Sequence, residues 1–336
     1  MKKTMRAASL LLSLACTALA IGLYGCPSKE EAAPPKDCTG SQALTAAPVF
    51  GASIATPKTL ALSFDDGPGS RTGELSTYLK GQGIRAMFFV NNNEQQAPYI
   101  NVLAQLVADG HVIGNHTKNH VNLATLGTNG MTQTIIDELT DVDTLIKPFV
   151  PNNRFLFRAP FGAWNQAAYD ALKNTALNKY VGHIEWEIGD DYIKPNDAAD
   201  VACWQQHSDT SKDCGDLYIA DIKDKGTKGI VLMHDADYGD SANTNVNAGK
   251  GNTVDMVKYI VPLLKADGYN FIGVDQVPDI AAVLPPLPPP DAGPEAGEGG
   301  ASSSGGSSGA SSSGGASSSG GSSSGTASSS GSNPCP

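Results

Sequence analysis

Positive charge is scarce in this sequence. Its 336 residues hold 23 Lys and Arg against 34 Asp and Glu, a formal net charge of −11. So acidic a chain is repelled by phosphate backbones, which excludes nucleic acid as a partner and leaves a neutral polymer compatible. Aromatic and large apolar side chains are missing from about residue 288 onward, where nearly every residue is Pro, Gly, Ala or Ser. Such a stretch cannot offset the entropy of ordering, so 288–336 is expected to be a disordered tail. As a random coil it spans roughly 35–40 Å. It either holds Asn333–Pro336 away from the core or has no partner.

Cysteine is also sparse, and its six positions divide by context. Lys2, Lys3 and Arg6 precede an apolar run from Ala7 to Leu23, which reads as an export signal containing Cys16. The run ends on Leu23-Tyr24-Gly25-Cys26, which resembles a bacterial lipobox that would lipidate Cys26 and tether the chain to a membrane through the spacer Pro27–Lys36. Cleavage after Ala18-Leu19-Ala20, giving a secreted protein, and an uncleaved signal anchor are the alternatives. Removing residues 1–25 takes away three positive charges and no acid, which leaves −14. Cys203 and Cys214 close a short loop in an exported protein, so a disulfide is expected, with two buried thiols as the alternative. Cys38 and Cys335 lie in the flanks, and their pairing stays open. The expected organisation is a signal over 1–25, a tether over 26–54, a folded core over 55–287 and a tail over 288–336. The expected location is the bacterial cell envelope, as a monomer.

Seven apolar runs in the core read as strands: 59–65, 86–91, 111–115, 154–159, 180–188, 229–234 and 270–275. Helical patterns over Thr72–Lys80, Tyr99–Ala108, Met131–Phe149, Asn165–Lys173 and Thr253–Lys265 alternate with them. Alternating strand and helix predicts a parallel α/β architecture, here a distorted (β/α) barrel of about seven strands. In such barrels the active site sits at the C-terminal strand ends.

The reactive side chains cluster at those ends. Asp65 and Asp66 close the first strand before Gly67-Pro68, and two adjacent carboxylates are costly unless one is neutralised. His116 and His120, four residues apart, are expected on one side of a helical turn, where both reach one cation. With Asp66 they form a two-nitrogen, one-oxygen set that leaves room for water and substrate. Arg158 suits a two-pronged carboxylate contact. Trp186-Glu187-Ile188-Gly189-Asp190-Asp191-Tyr192 offers a carboxylate to orient a histidine and aromatics to line a sugar groove. His234 is a candidate proton donor. Each cluster alone has a plain structural reading, as a turn, a cap or a surface charge. Trp204 is either a sugar platform or a buried aromatic beside the disulfide.

In this order the clusters resemble the polysaccharide deacetylases, the family-four carbohydrate esterases with a chitooligosaccharide deacetylase-type domain. The family's Thr-Phe-Asp-Asp-Gly-Pro appears as Ser63–Pro68, and its His-Ser/Thr-x-x-His as His116–His120. Its Arg-x-Pro-Tyr appears as Arg158–Phe161, and its Leu-x-His as Leu232–His234. The resemblance covers about 55–280 and implies metal-dependent deacetylation of a polysaccharide. By it, Asp66, His116 and His120 bind a divalent cation, usually zinc (cobalt or manganese are possible). Asp65 is the general base and Arg158 its partner. The Phe161 N–H stabilises the oxyanion, Leu232 shapes the acetyl pocket, and His234 is the acid. The fourth motif, commonly Asp-x-x-Asp-Trp, departs here at Gly189–Tyr192. Asp191 is the favoured partner of His234, with Asp190 the alternative, and Tyr192 stands where the Trp would be. The expected substrates are N-acetylglucosamine polymers such as chitin, its oligomers or peptidoglycan. Alternatives are O-deacetylation of acetylated xylan and an inactive carbohydrate-binding protein.

Overall fold

Every residue from Thr59 to Gly67 is buried. That is the signature of a strand with neighbours on both edges and layers on both faces. The computed structural model describes residues 44–189, 198–207, 210–237 and 251–286. Cys16, Cys26, Cys38, Cys335, the expected signal, most of the tether and the tail lie outside the described residues. The strands are β1 (Leu44–Val49), β2 (Thr59–Gly67), β3 (Met87–Val90), β4 (Val112–Asn115), β5 (Gly182–Ile184), β6 (Lys228–His234) and β7 (Asn270–Ile272). The helices are α1 (Thr72–Gly81), α2 (Val102–Ala108), α3 (Leu123–Thr128), α4 (Thr132–Ile146), α5 (Gln166–Leu172), the single turn α6 (Asp200–Ala202), α7 (Ser211–Asp224), α8 (Thr253–Ala266) and α9 (Pro278–Val283). None of the described helices is long and apolar enough to cross a membrane.

All strand pairings are parallel. β4-β3-β2-β6 form one sheet, with β7 against the first residues of β2, and β1 pairs with β5. Single bridges, Asn115 to Phe157, Leu156 to Val181 and Ile188 to Val231, carry the round from β4 back to β6. The result is the expected distorted barrel, with one side closed by isolated bridges instead of ladders.

Two expectations are corrected. The run 154–159 is not a strand. The Arg158 carbonyl and the Ala159 N–H are taken by side chains, His116 and His183, and Pro160 has no N–H to give a ladder. The strand β1 (Leu44–Val49) also lies inside the span expected to be tether. Leu44–Val49 contains Pro48 and has little large apolar content, yet it forms β1. Proline is tolerated there because the strand pairs only with β5.

Strand alternation sorts the side chains. Leu60, Leu62 and Phe64 join Leu75, Leu79 and Phe88 in the larger core cluster. Ala61 joins Met87, Phe89, Leu156, Ile184 and Ile230 in a second, inner cluster. With a period of two, Ser63 and Asp65 continue the Ala61 series, and Leu232 and His234 continue the Ile230 series. Asp65 and His234 are register partners across the β2–β6 ladder, so both stand over the inner layer at its C-terminal end.

Candidate metal centre and active site

Adjacent strand residues normally face opposite ways, which would send Asp65 and Asp66 apart. A bulge prevents this. Asp65 pairs with Phe89 but Gly67 pairs with Val90, and Asp66 sits between them with φ 67°. The extra residue re-aims its side chain, so both carboxylates reach one site.

Asp66 Oδ1 lies 3.3 Å from His116 Nε2 and 3.1 Å from His120 Nε2. The two imidazoles are not on a helical turn. They lie in a loop after β4 in which Thr117 and His120 take φ of 64° and 53°. The loop is held from outside. Asn91 donates to the carbonyls of His116 and Thr117 at 2.7 and 2.8 Å. Glu138 of α4 accepts from the Asn119 N–H and side-chain amide at 2.8 and 2.7 Å. Such contacts offset the roughly 1–3 kcal/mol that each left-handed non-glycine residue costs.

The three donors fit a divalent cation. Their ligand atoms all lie within 4.8 Å of one another. His116 Nδ1 is 2.9 Å from the Arg158 carbonyl, which can only accept, so Nδ1 carries the proton and Nε2 keeps a lone pair for metal. Burial pushes His120 down to about 4, which keeps its ring neutral. Burial alone would raise Asp66. The neighbouring His116, His120 and His234 rings outweigh it and hold the carboxylate well below its usual range. A hydrolytic divalent ion such as zinc accepts this donor set.

Asp65 has the other role. Its Oδ1 accepts from Arg158 Nη1 at 2.8 Å, while Oδ2 faces His116 Nε2 at 3.6 Å. Arg158 is fully buried. It also donates to Ser63 Oγ at 2.8 Å and to the Ile184 carbonyl at 2.9 Å. Its guanidinium lies between the rings of Phe89 and Trp186, 4.4 and 5.1 Å away. Trp186 therefore covers the arginine. Glu187 accepts from the Ile230 N–H and orients no histidine.

Across the ladder, His234 Nδ1 is 2.8 Å from Asp200 Oδ1, and its own N–H donates to Asp200 Oδ2 at 2.8 Å. Thr253 donates to the same oxygen and accepts from Trp204 Nε1. Burial alone would lower His234. Asp200, with Asp66 and Asp65, raises it to about 9. Asp200 is thus a partner of His234 that was not expected; the expected partner Asp191, with Asp190 and Tyr192, lies outside the described residues. The missed signal was Asp197-Ala198-Ala199-Asp200, which keeps the Asp-x-x-Asp spacing nine residues later than expected. Trp204 is buried, and the Cys203–Cys214 disulfide ties the segment following Asp200 to α7.

Leu232 is buried beneath His234. Phe161 is two-thirds exposed, with φ 60°, and its ring meets His120 edge-on at 4.4 Å. A cavity of about 1080 Å³ opens beside Asp66 and His120 and is lined largely by amides, among them Asn92, Asn93, Gln95 and Asn119. Gln96 ties its wall to the metal site by donating to the Asp66 carbonyl at 2.8 Å.

Residues 53–180 match a family model described as polysaccharide deacetylase. The chain is 32% identical over 142 residues to a chitin deacetylase of Pestalotiopsis, covering 41% of this chain and 46% of that one. It therefore spans about half the length of that relative. It is 28% identical over 213 residues to a chitooligosaccharide deacetylase of Azorhizobium caulinodans, covering 62% and 89%. The fold matches a CE4 family pseudoenzyme from Bacillus anthracis with a TM-score of 0.50 at 18% identity, covering 70% of each chain. At that identity the likeness concerns the fold alone.

Proposed function

We propose that this chain, whose residues 53–180 match a polysaccharide deacetylase family model, is a divalent-metal hydrolase that removes N-acetyl groups from N-acetylglucosamine polymers. The observation that carries this is the register pairing of Asp65 with His234 beside the Asp66–His116–His120 set. It supports a base and an acid on the two flanks of one cation.

Asp66, His116 and His120 would hold the cation, zinc in our reading. Bound there, it supplies a Lewis acid for the acetyl carbonyl and acidifies a water molecule. Asp65 takes the proton from the attacking water at Oδ2, since Oδ1 is committed to Arg158. The Phe161 N–H donates to the carbonyl oxygen as charge builds on it. Leu232 borders the acetyl methyl group. His234, its Nδ1 proton held by Asp200, donates from Nε2 to the departing amine. The base and the acid each have a dedicated buried partner, Arg158 and Asp200, which a mere carbohydrate binder does not need. Export with a lipid on Cys26 belongs to the same proposal. It is supported by the charged and apolar N-terminus and is tested by mass spectrometry of that cysteine.

The deciding assay is acetate release from chitin oligomers, peptidoglycan and acetylxylan, with and without a chelator. Acetate from the first two, abolished by chelation, is expected. Acetate from acetylxylan alone would transfer the reading to O-deacetylation, and none from any substrate by zinc-loaded protein would end it.

A further inference from the structure

The proposed mechanism does not use the paired side chains of His183 and Glu185. His183 on β5 is wholly buried, and its Nε2 lies 2.7 Å from Glu185 Oε1. Its other nitrogen, Nδ1, accepts the Ala159 N–H at 3.0 Å. A backbone N–H can only donate, so Nδ1 carries the lone pair and Nε2 the proton. The ring is thus fixed in one tautomer between a carboxylate and the main chain.

That main chain is the start of the turn Ala159-Pro160-Phe161-Gly162. Glu185 also lies close to its far end: a Cβ on Gly162 would stand 3.0 Å from Glu185 Oε1. Between these supports Phe161 holds φ 60° and Gly162 φ 61°. For a bulky residue such as Phe161 this costs roughly 1–3 kcal/mol and persists only where neighbours impose it. The same short segment also reaches the base. The Ile184 carbonyl accepts from Arg158 Nε at 2.9 Å, and the Glu185 carbonyl accepts from Nη2 at 3.4 Å.

We propose that His183 and Glu185 form a positioning pair: through their side chains they hold the turn that presents the Phe161 N–H, while the carbonyls of Ile184 and Glu185 fix the arginine that orients Asp65. This rests on the deacetylase reading for its effect on rate, but the positioning itself does not depend on it.

The test uses the full chain loaded with zinc and the variants Glu185→Ala and Glu185→Gln. Glu185 is partly exposed, so neither change opens the core. With a chitin oligomer, Glu185→Ala is expected to lower kcat about tenfold. KM should stay within about twofold and zinc content should be unchanged. Glu185→Gln, which still accepts from His183, should restore most of the rate. Amide hydrogen exchange of the peptide 158–164 reads the positioning without substrate. It should quicken about tenfold in Glu185→Ala and stay near wild type in Glu185→Gln. Unchanged exchange in Glu185→Ala overturns the inference, as does a loss of rate that follows zinc loss or that Glu185→Gln fails to rescue. If wild type releases no acetate while the exchange pattern holds, the deacetylase reading falls and the positioning pair stands.

Discussion

Asp65 and Asp66 are identical neighbours that end with different partners. Asp66 faces two imidazole nitrogens, and Asp65 faces a buried guanidinium. The division of labour predicts that Asp65→Asn keeps its zinc, measured by metal analysis, yet loses turnover by about 100-fold or more. Full activity would remove Asp65 from the role of base. Asp200→Asn tests the carboxylate that holds His234. With the acceptor for His234 Nδ1–H weakened, kcat should fall about 100-fold while KM holds. An unchanged kcat would return the role to Asp190 or Asp191. The proposed ligands, base and acid stood out in the sequence because metal and proton chemistry demand those residue types. Asn91, Glu138, Ser63 and Asp200 were not, since amides, hydroxyls and single carboxylates are common and only their placement gives them a role.

At the scale of elements, the sheet carries the site and the helices hold the sheet. α1 and α2 are stitched by Asp109, which follows α2 and accepts from Ser76 Oγ and Lys80 Nζ of α1, each at 2.7 Å. The hydrogen bond from Lys80, then that from Ser76, lowers Asp109 from 3.8 to about 2. A depressed carboxylate stabilises the fold above its ordinary value, and that contribution is lost as pH falls through about 2. Lys80 is exposed, so solvent screening reduces the contribution to about 1 kcal/mol. Asp109→Asn should therefore lower Tm by about 2–4 °C at neutral pH. The gap from wild type should close as pH approaches 2 in thermal denaturation. A gap that persists there would mean that packing, not the ion pair, joins these helices. The periodic helices were readable from sequence. The strand expected at 154–159 was not, because its apolar pattern is real but its backbone groups are spent on His116 and His183.

For the whole molecule, the metal centre joins β2 to the loop after β4, elements some fifty residues apart in sequence. A cation that binds only the folded chain stabilises it by about 2.7 kcal/mol at a hundred times its dissociation constant. At about 2–4 °C per kcal/mol, Tm should rise by about 5–10 °C. Calorimetry of chelated protein with and without added zinc checks this, with Asp66→Ala as the control that should not respond. An equal rise in that variant would place the stabilising ion elsewhere.

By itself, the sequence determined the alternating α/β architecture, the disulfide partners and the donor set of the candidate centre. Each of these follows from residue type and local period. Only the tertiary structure decided the rest. The bulge at Asp66 turns two neighbouring carboxylates toward one point, against the alternation a strand imposes. The fold brings Asp200 to His234 from a separate turn, brings β1 out of an expected tether, and sets His183 under the Phe161 turn. These depend on backbone register and on which hydrogen-bonding groups remain unspent once the barrel closes, and neither quantity exists until the chain has folded.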